Sequence, residues 1–161
     1  MKELFLKGIN FQEFLHNVSI MDTGDFHAVE ELIKLPQEDI DSIQSIKNPC
    51  YILAIAEGWC IDCKINLTLL NRIVNYNDGI KLSIISLEEG KVSQLQKYQE
   101  DERLKIPTFI FMDENFNVFD YWIEAPLKVK QFRLNKDERH EDYLRGKMLQ
   151  ESKIELLNIL V

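Results

Sequence analysis

The stretch from Cys50 to Val74 limits the fold more than any other part of the chain. Cys50 to Ala56 (Cys-Tyr-Ile-Leu-Ala-Ile-Ala) is a short, nearly continuous apolar run, the pattern of a central strand covered on both faces. Gly58 and a cysteine pair, Trp59-Cys60-Ile61-Asp62-Cys63, interrupt it. Ile61, Ile65, Leu69 and Ile73 then recur every fourth residue, with Leu70 and Val74 widening the stripe, which predicts an amphipathic helix. Strand, tight loop and helix follow one another directly, so the two cysteines fall at the start of the helix.

The remaining segments arrange themselves around this unit. Residues 1–48 read as helical: Asn10 and Glu13 form a plausible capping pair for a short helix carrying Phe11, Phe14 and Leu15. An Asp22-Thr23-Gly24 turn is expected next, then a helix bearing Val29, Leu32 and Ile33 through Leu35. Pro36 can open a further helix with Glu38 and Asp39 near the positive end of its dipole and Ile40, Ile43 and Ile46 as its buried stripe, closed by Asn48-Pro49. After the Asn77-Asp78-Gly79 turn, Ile80 to Leu87 reads as a second buried strand. Lys91 to Arg103 is polar and helix-permissive, with Val92, Leu95 and Tyr98 as an inner face. Thr108 to Met112 is a third strand, and Asn117 to Ile123 its alternating antiparallel partner, with Val118 and Trp122 apolar. Pro126 begins a helix through Leu134, and a final helix from about Glu141 has its apolar positions interrupted at Glu151 to Lys153.

The core order is therefore β, α, β, α, β, β, α, an α/β fold with a mixed sheet and helices on both faces. At 161 residues the chain is read as one domain: a helical extension over 1–48, the core over 49–135 and a C-terminal helical extension over 136–161. The net charge of -8 argues against a general nucleic-acid binder. The basic residues Lys128, Lys130, Arg133, Lys136 and Arg139 are interleaved with Asp137 and Glu138, and a solvated helical face fits them better than a docking patch. The first residues carry too short an apolar stretch for a signal peptide, and no run is long enough to span a bilayer, so a cytoplasmic protein without membrane contact is expected. The sequon Asn66-Leu67-Thr68 carries no meaning in that compartment.

In a reducing compartment three cysteines are not a disulfide framework, and a close pair points to catalysis or metal binding. Backbone N–H groups and the dipole at a helix N-terminus favour thiolate, which fits Cys60 as a nucleophile. Cys63, one turn further in, is placed to attack a mixed disulfide formed at Cys60. Metal binding is the chemical rival, since one CxxC is half of a tetrahedral zinc site; the other candidate ligands, Cys50, His16, His27 and His140, show no second paired spacing. Cys50 fits a small apolar core residue, and Trp122 and the nearby phenylalanines fit core rather than a ligand cage. No serine has a recognisable partner base for hydrolysis.

Trp59-Cys60-x-x-Cys63 after an apolar strand, together with Ile106-Pro107-Thr108 heading a later strand, resembles the thioredoxin superfamily. The resemblance runs over roughly Pro49 to Leu134. It implies that Cys60 is the nucleophile and Cys63 the resolving thiol. It also implies that Trp59 flanks the site, that Pro107 is cis beside the nucleophilic sulfur, and that Ile106 pairs its backbone with a substrate peptide. With its helical extensions the whole chain is similar to bacterial thioredoxin-like proteins whose usual motif is Trp-Cys-Gly-Asp-Cys. Two departures stand out. Where the family's standard members have a buried aspartate six residues before the first cysteine, the proton acceptor for the resolving thiol, this chain has Ala54; another base or water must then serve, and Glu57 is the nearest candidate in sequence. Where they have Gly-Pro inside the motif, this chain has Ile61-Asp62, and Asp62 sets a negative charge against the thiolate that the dipole favours, although acidic residues suit any first helical turn.

The function expected is thiol–disulfide exchange, reducing a protein or low-molecular-weight disulfide, with electrons from an external thiol or reductase and no dissociable cofactor. The alternatives are a non-catalytic module that binds an extended peptide beside Pro107 and, behind it, a metal-binding CxxC protein.

Overall fold

A computed structural model describes residues 1–161. Four strands form one mixed sheet in the order β2-β1-β3-β4: β1 (Cys50–Ile55), β2 (Ile80–Ile85), β3 (Thr108–Met112) and β4 (Val118–Ile123). β1 runs parallel to β2 and antiparallel to β3, and β3 is antiparallel to β4 with an irregularity between Phe111 and Met112. β1 is thus central, as its unbroken apolar run requires.

The period of two along β1 divides the core into two layers. Ile52, Ala54 and Ala56 face the larger layer, where α5 (Ile61–Val74) packs beneath α3 (Ile20–Leu32), α4 (Gln37–Ser45) and α8 (Leu149–Leu160). Leu53 and Ile55 face the smaller layer, closed by Leu4 of α1 (Lys2–Lys7) and by Leu95 and Tyr98 of a 3-10 helix over Ser93–Tyr98. Helices α6 (Leu127–Leu134) and α7 (His140–Leu144) cover the end of α5 that carries the cysteines, through a third cluster of Ile65, Ala125, Val129 and Tyr143.

The N-terminal residues complete the core rather than decorate it. The backbone of Ile9 exchanges both hydrogen bonds with Ile84, at 2.9 and 2.8 Å, and so occupies the free edge of β2. Gly8 makes this approach possible, because a Cβ there would stand 2.2 Å from Ser83 Oγ and 2.8 Å from the Ile84 carbonyl oxygen. Asn10 then caps α2 (Phe11–Asn17) through a full capping box: its side chain accepts from the Glu13 amide, and the Glu13 carboxylate accepts from the Asn10 amide. Phe11, Phe14 and Phe26 meet edge-on or stacked beneath it.

Four local expectations change. The Asp22-Thr23-Gly24 turn is absent: Ser19 caps a helix that begins at Ile20 and runs through all three residues. The Ser19 hydroxyl accepts from the Asp22 amide, and this cap outweighs the helix-breaking tendency of a single glycine. The polar stretch 91–103 holds only the 3-10 helix, because Leu95 and Tyr98 are its sole deeply buried side chains. The single C-terminal helix expected from about Glu141 is two helices, broken around Gly146 at φ +73°. Ser152 and Lys153, which read as interruptions, are buried polar contacts of α8, the first with Asn66 and the second in an ion pair with Asp39 of α4. Finally, Ile61 is half exposed although it opens the apolar stripe; it lies at the surface beside the cysteines, and the continuous buried stretch of α5 runs from Cys63 to Leu70. Pro36, Ile43 and the Pro126 start follow the expected pattern, with both prolines as N-caps.

Candidate active site

Cys60 is the N-cap of α5, in extended backbone conformation at φ -83°, ψ 121°. Its Sγ accepts from the Cys63 amide at 3.3 Å, taking the place that a serine or aspartate oxygen fills at other helix starts. Sγ also lies 3.5 Å from the carbonyl oxygen of Ile106, to which the thiol form donates. The Ile106–Pro107 bond is cis and heads β3, the neighbour of β1. Adjacent antiparallel strands therefore bring the motif and the proline loop together although 46 residues separate Cys60 from Ile106.

The two thiols differ sharply. Cys63 is fully buried, and burial, with the adjoining Cys60 sulfur, pushes its pKa well above the ordinary thiol range. Cys60 lies at the surface end of the pair with 9% of its area exposed, and its pKa is lowered. The Cys63 thiol donating to the Cys60 sulfur contributes most to that shift; burial opposes it, the Cys63 amide supports it, and the Asp62 charge opposes it more weakly. All three cysteines are free, and Cys50, in the core at the far end of β1, is pushed up to about 11 by burial. Trp59 and Ile61 flank Cys60 with 65% and 50% of their areas exposed, an apolar rim around a largely buried sulfur.

Of the acidic candidates, Glu57 sends its carboxylate to the Leu87 amide at 2.8 Å, so the side chain is committed to the loop after β2. Its backbone contributes instead: its carbonyl accepts from the Cys60 amide at 3.3 Å, and its peptide group favours the Cys63 thiolate. Ala54 shares the buried cluster of Cys63 and supplies no ionisable group. Asp62 points to the other side and is gripped by Arg133 of α6, with Nη2 to Oδ1 at 2.7 Å and Nη1 to Oδ2 at 3.1 Å. The histidines stand apart, and no three of the His, Cys, Asp and Glu side chains converge as a metal site would require. The basic C-terminal residues are paired: Lys128 with Glu151, Lys130 with Glu100, Arg133 with Asp62, Arg139 with Asp137.

Two residues whose structural role the sequence did not reveal tie α5 to its neighbours. Lys64, the first residue after the motif, is buried on α5 and donates to Asp22 at 2.6 Å and Asp25 at 2.7 Å, tying α3 to the start of the active-site helix. Asn66 is fully buried; its amide donates to the Tyr143 hydroxyl at 2.6 Å and to the carbonyls of Asp62 and Glu124 at 3.0 and 3.2 Å, while its oxygen accepts from Ser152 at 2.7 Å. The sequon is thus a packing feature. The only signal for either residue was polarity on a helix whose remaining face is apolar. Beside the motif, a cavity of about 420 Å³ opens between Trp59, Gly58 and α2, with Lys7, Ser86 and Glu89 on its polar side.

A dithiol at a helix N-terminus, opposed by a cis-proline loop on a four-stranded mixed sheet with helices on both faces, defines a thioredoxin-like α/β protein. The thioredoxin family model matches residues 8–142, and the chain belongs to that family. Among solved structures it is similar to a protein of unknown function, PA1234, from Pseudomonas aeruginosa, at 26% identity and a TM-score of 0.87, covering 98% of this chain and 95% of that one. It is likewise similar to an HIV epitope scaffold at 27% identity and a TM-score of 0.84, with 98% and 95% covered. No curated protein matches the sequence. No helix is long and apolar enough to cross a membrane.

Proposed function

We propose that the protein is a thiol–disulfide oxidoreductase that reduces disulfides of proteins or small molecules in the cytoplasm. The observation that carries this reading is the position of Cys60 Sγ: capped by the Cys63 amide at 3.3 Å and 3.5 Å from the carbonyl that precedes the cis proline. In the first step the Cys60 thiolate attacks one sulfur of the substrate disulfide, forming a mixed disulfide and releasing the other sulfur as thiolate. In the second, Cys63 gives its proton to that thiolate or to water and attacks Cys60 Sγ, releasing the reduced substrate and leaving a Cys60–Cys63 disulfide. Two electrons pass from the dithiol to the substrate, and an external thiol or reductase returns them.

The high pKa of Cys63 is compatible with the second step. Part of its elevation comes from the negative charge of Cys60, and that charge disappears when Cys60 enters the mixed disulfide. Cys63 is thus quiet in the resting protein and easier to ionise once it is needed, without a buried aspartate at position 54. Trp59, Ile61 and the Ile106 carbonyl form the surface against which a substrate segment would lie.

Reduction of insulin disulfides by the dithiothreitol-reduced protein tests the reading. Wild type is expected to turn over, Cys60→Ser to be inactive, and Cys63→Ser to accumulate a mixed disulfide at Cys60 that dithiothreitol releases. Absence of dithiol-dependent turnover in wild type together with no covalent adduct on Cys63→Ser would leave only the peptide-binding alternative standing.

A further inference from the structure

Asp62 is the acidic side chain closest in sequence to the nucleophile, and its surroundings come almost entirely from the region after β4. Both carboxylate oxygens accept from the Arg133 fork, and the carboxylate is only 14% exposed. The guanidinium lies 5.4 Å from the centroid of the Tyr143 ring and 3.7 Å from Glu124 Oε1, which Lys105 also approaches at 3.8 Å. Tyr143 is fully buried, its hydroxyl accepts from Asn66, and burial together with the nearby Asp62 charge keeps the phenol protonated. The other charged groups near the start of α5 have partners of their own: Lys64 is held by Asp22 and Asp25 of α3, and the Glu57 carboxylate accepts from the Leu87 amide.

We propose that Arg133 is a positioning residue for Cys60: its fork engages both oxygens of Asp62, compensating the charge that the motif places beside the nucleophilic sulfur. A free carboxylate within one turn of a thiolate opposes its formation, whereas the same carboxylate paired with a fixed guanidinium opposes it much less. The geometry supports action through Asp62 rather than on the sulfur directly, since both guanidinium hydrogen bonds of Arg133 go to that carboxylate. The reactivity of the nucleophile is then set from α6 and α7, and a change in the packing of that region would be read at Cys60. This inference deepens the oxidoreductase reading and rests on Cys60 being its nucleophile.

The test is the pH dependence of iodoacetamide alkylation at Cys60 in the reduced full-length protein, with the modified residue located by peptide mass mapping. It needs no disulfide substrate, so its outcome is separate from that of the insulin assay. Arg133→Met is expected to raise the alkylation midpoint by about half a unit to one unit, and Asp62→Asn to lower it by clearly less, because the paired carboxylate already opposes the thiolate only weakly. In the Asp62→Asn background, Arg133→Met is expected to shift the midpoint by less than about 0.2 units, because the group through which it acts is gone. Arg133→Lys keeps the charge but not the two-pronged contact and is expected to show part of the rise; it serves as the test should Arg133→Met not fold. An unchanged midpoint in the folded Arg133 variants, or an equal shift with and without the Asp62 charge, would overturn the proposal.

Discussion

Replacing Asn66 with leucine removes the polar hub that ties α5 to α7 and α8 while nearly preserving side-chain volume. The asparagine makes one contact with each of two buried hydroxyls: its amide donates to Tyr143 and its oxygen accepts from Ser152, both fully buried. Leucine offers neither partner. An orphaned buried polar group such as the Ser152 hydroxyl costs about 1–3 kcal/mol, and loss of the donor to Tyr143 costs about 1 kcal/mol more, so the expected loss is about 2–4 kcal/mol in total. For a chain of this size that corresponds to a fall in Tm of roughly 4–16 °C, at about 2–4 °C per kcal/mol. Urea unfolding followed by circular dichroism measures it, provided the slope m stays at the wild-type value. Ser152→Ala in the Asn66→Leu background supplies the internal check, since deleting the orphaned hydroxyl should return about 1 kcal/mol, whereas the same substitution in wild type should destabilise by a similar amount. A loss below about 0.5 kcal/mol for Asn66→Leu, or an Ser152→Ala effect of the same sign in both backgrounds, would refute the assignment of these groups as mutually dependent.

Three further outcomes are expected. At pH 7.5 a stoichiometric alkylating reagent should modify Cys60 first in the native reduced protein, with Cys63 and Cys50 reacting only on unfolding, because burial raises both of their pKa values, that of Cys50 to about 11; comparable native labelling of Cys50 would contradict the burial argument. Asp22 titrates below its ordinary value, chiefly through its hydrogen bond to Lys64, so its contribution to stability is complete above about pH 4 and is lost as the pH falls through the lower folded value. Lys64→Met should therefore flatten the decline of Tm between about pH 4 and pH 2.5, and an unaltered acid profile would show that the pair is not linked to folding. Gly58→Ala should destabilise by about 1–3 kcal/mol, since its Cβ would lie 2.6 Å from a Val18 methyl group, and Val18→Ala should rescue it; an additive double variant would mean that α2 does not rest on the motif loop.

How much of this was legible in the sequence depends on whether a residue's role follows from its neighbours in the chain. The β1–α5 unit, the third and fourth strands and the Asn10–Glu13 cap were readable because period, propensity and capping are local. The proximity of the cysteine pair to the cis proline was legible because the resemblance to a known motif stands in for the missing tertiary information, and Cys60 Sγ does lie 3.5 Å from the Ile106 carbonyl. Where local reading failed, a distant partner had decided the matter. Glu151 to Lys153 reads as an interruption of the last helix's apolar stripe because the residues are polar, yet Ser152 and Lys153 are buried there, against Asn66 and Asp39. Ile61 looked like the first core residue of α5, yet it stands outside because the helix begins at the molecular surface.

Asp62 joins the two cases. Sequence alone gives the sign of its effect on Cys60, an acidic group one turn inside the motif, and the structure retains that sign. What the sequence could not give is the size, since the compensating cation is 71 residues away on α6. The helix that supplies it is held by contacts of its own: Val129 and Tyr143 share a cluster with Ile65 of α5, and Asn66 binds Tyr143 from below. A residue that sequence places in a solvated basic face thus lies within the architecture of the motif, half-buried and bidentate. The dipeptide between the cysteines therefore cannot be read apart from α6 and α7: the same Ile-Asp pair on a scaffold without Arg133 would leave an unpaired carboxylate beside the thiolate and a less reactive nucleophile at neutral pH.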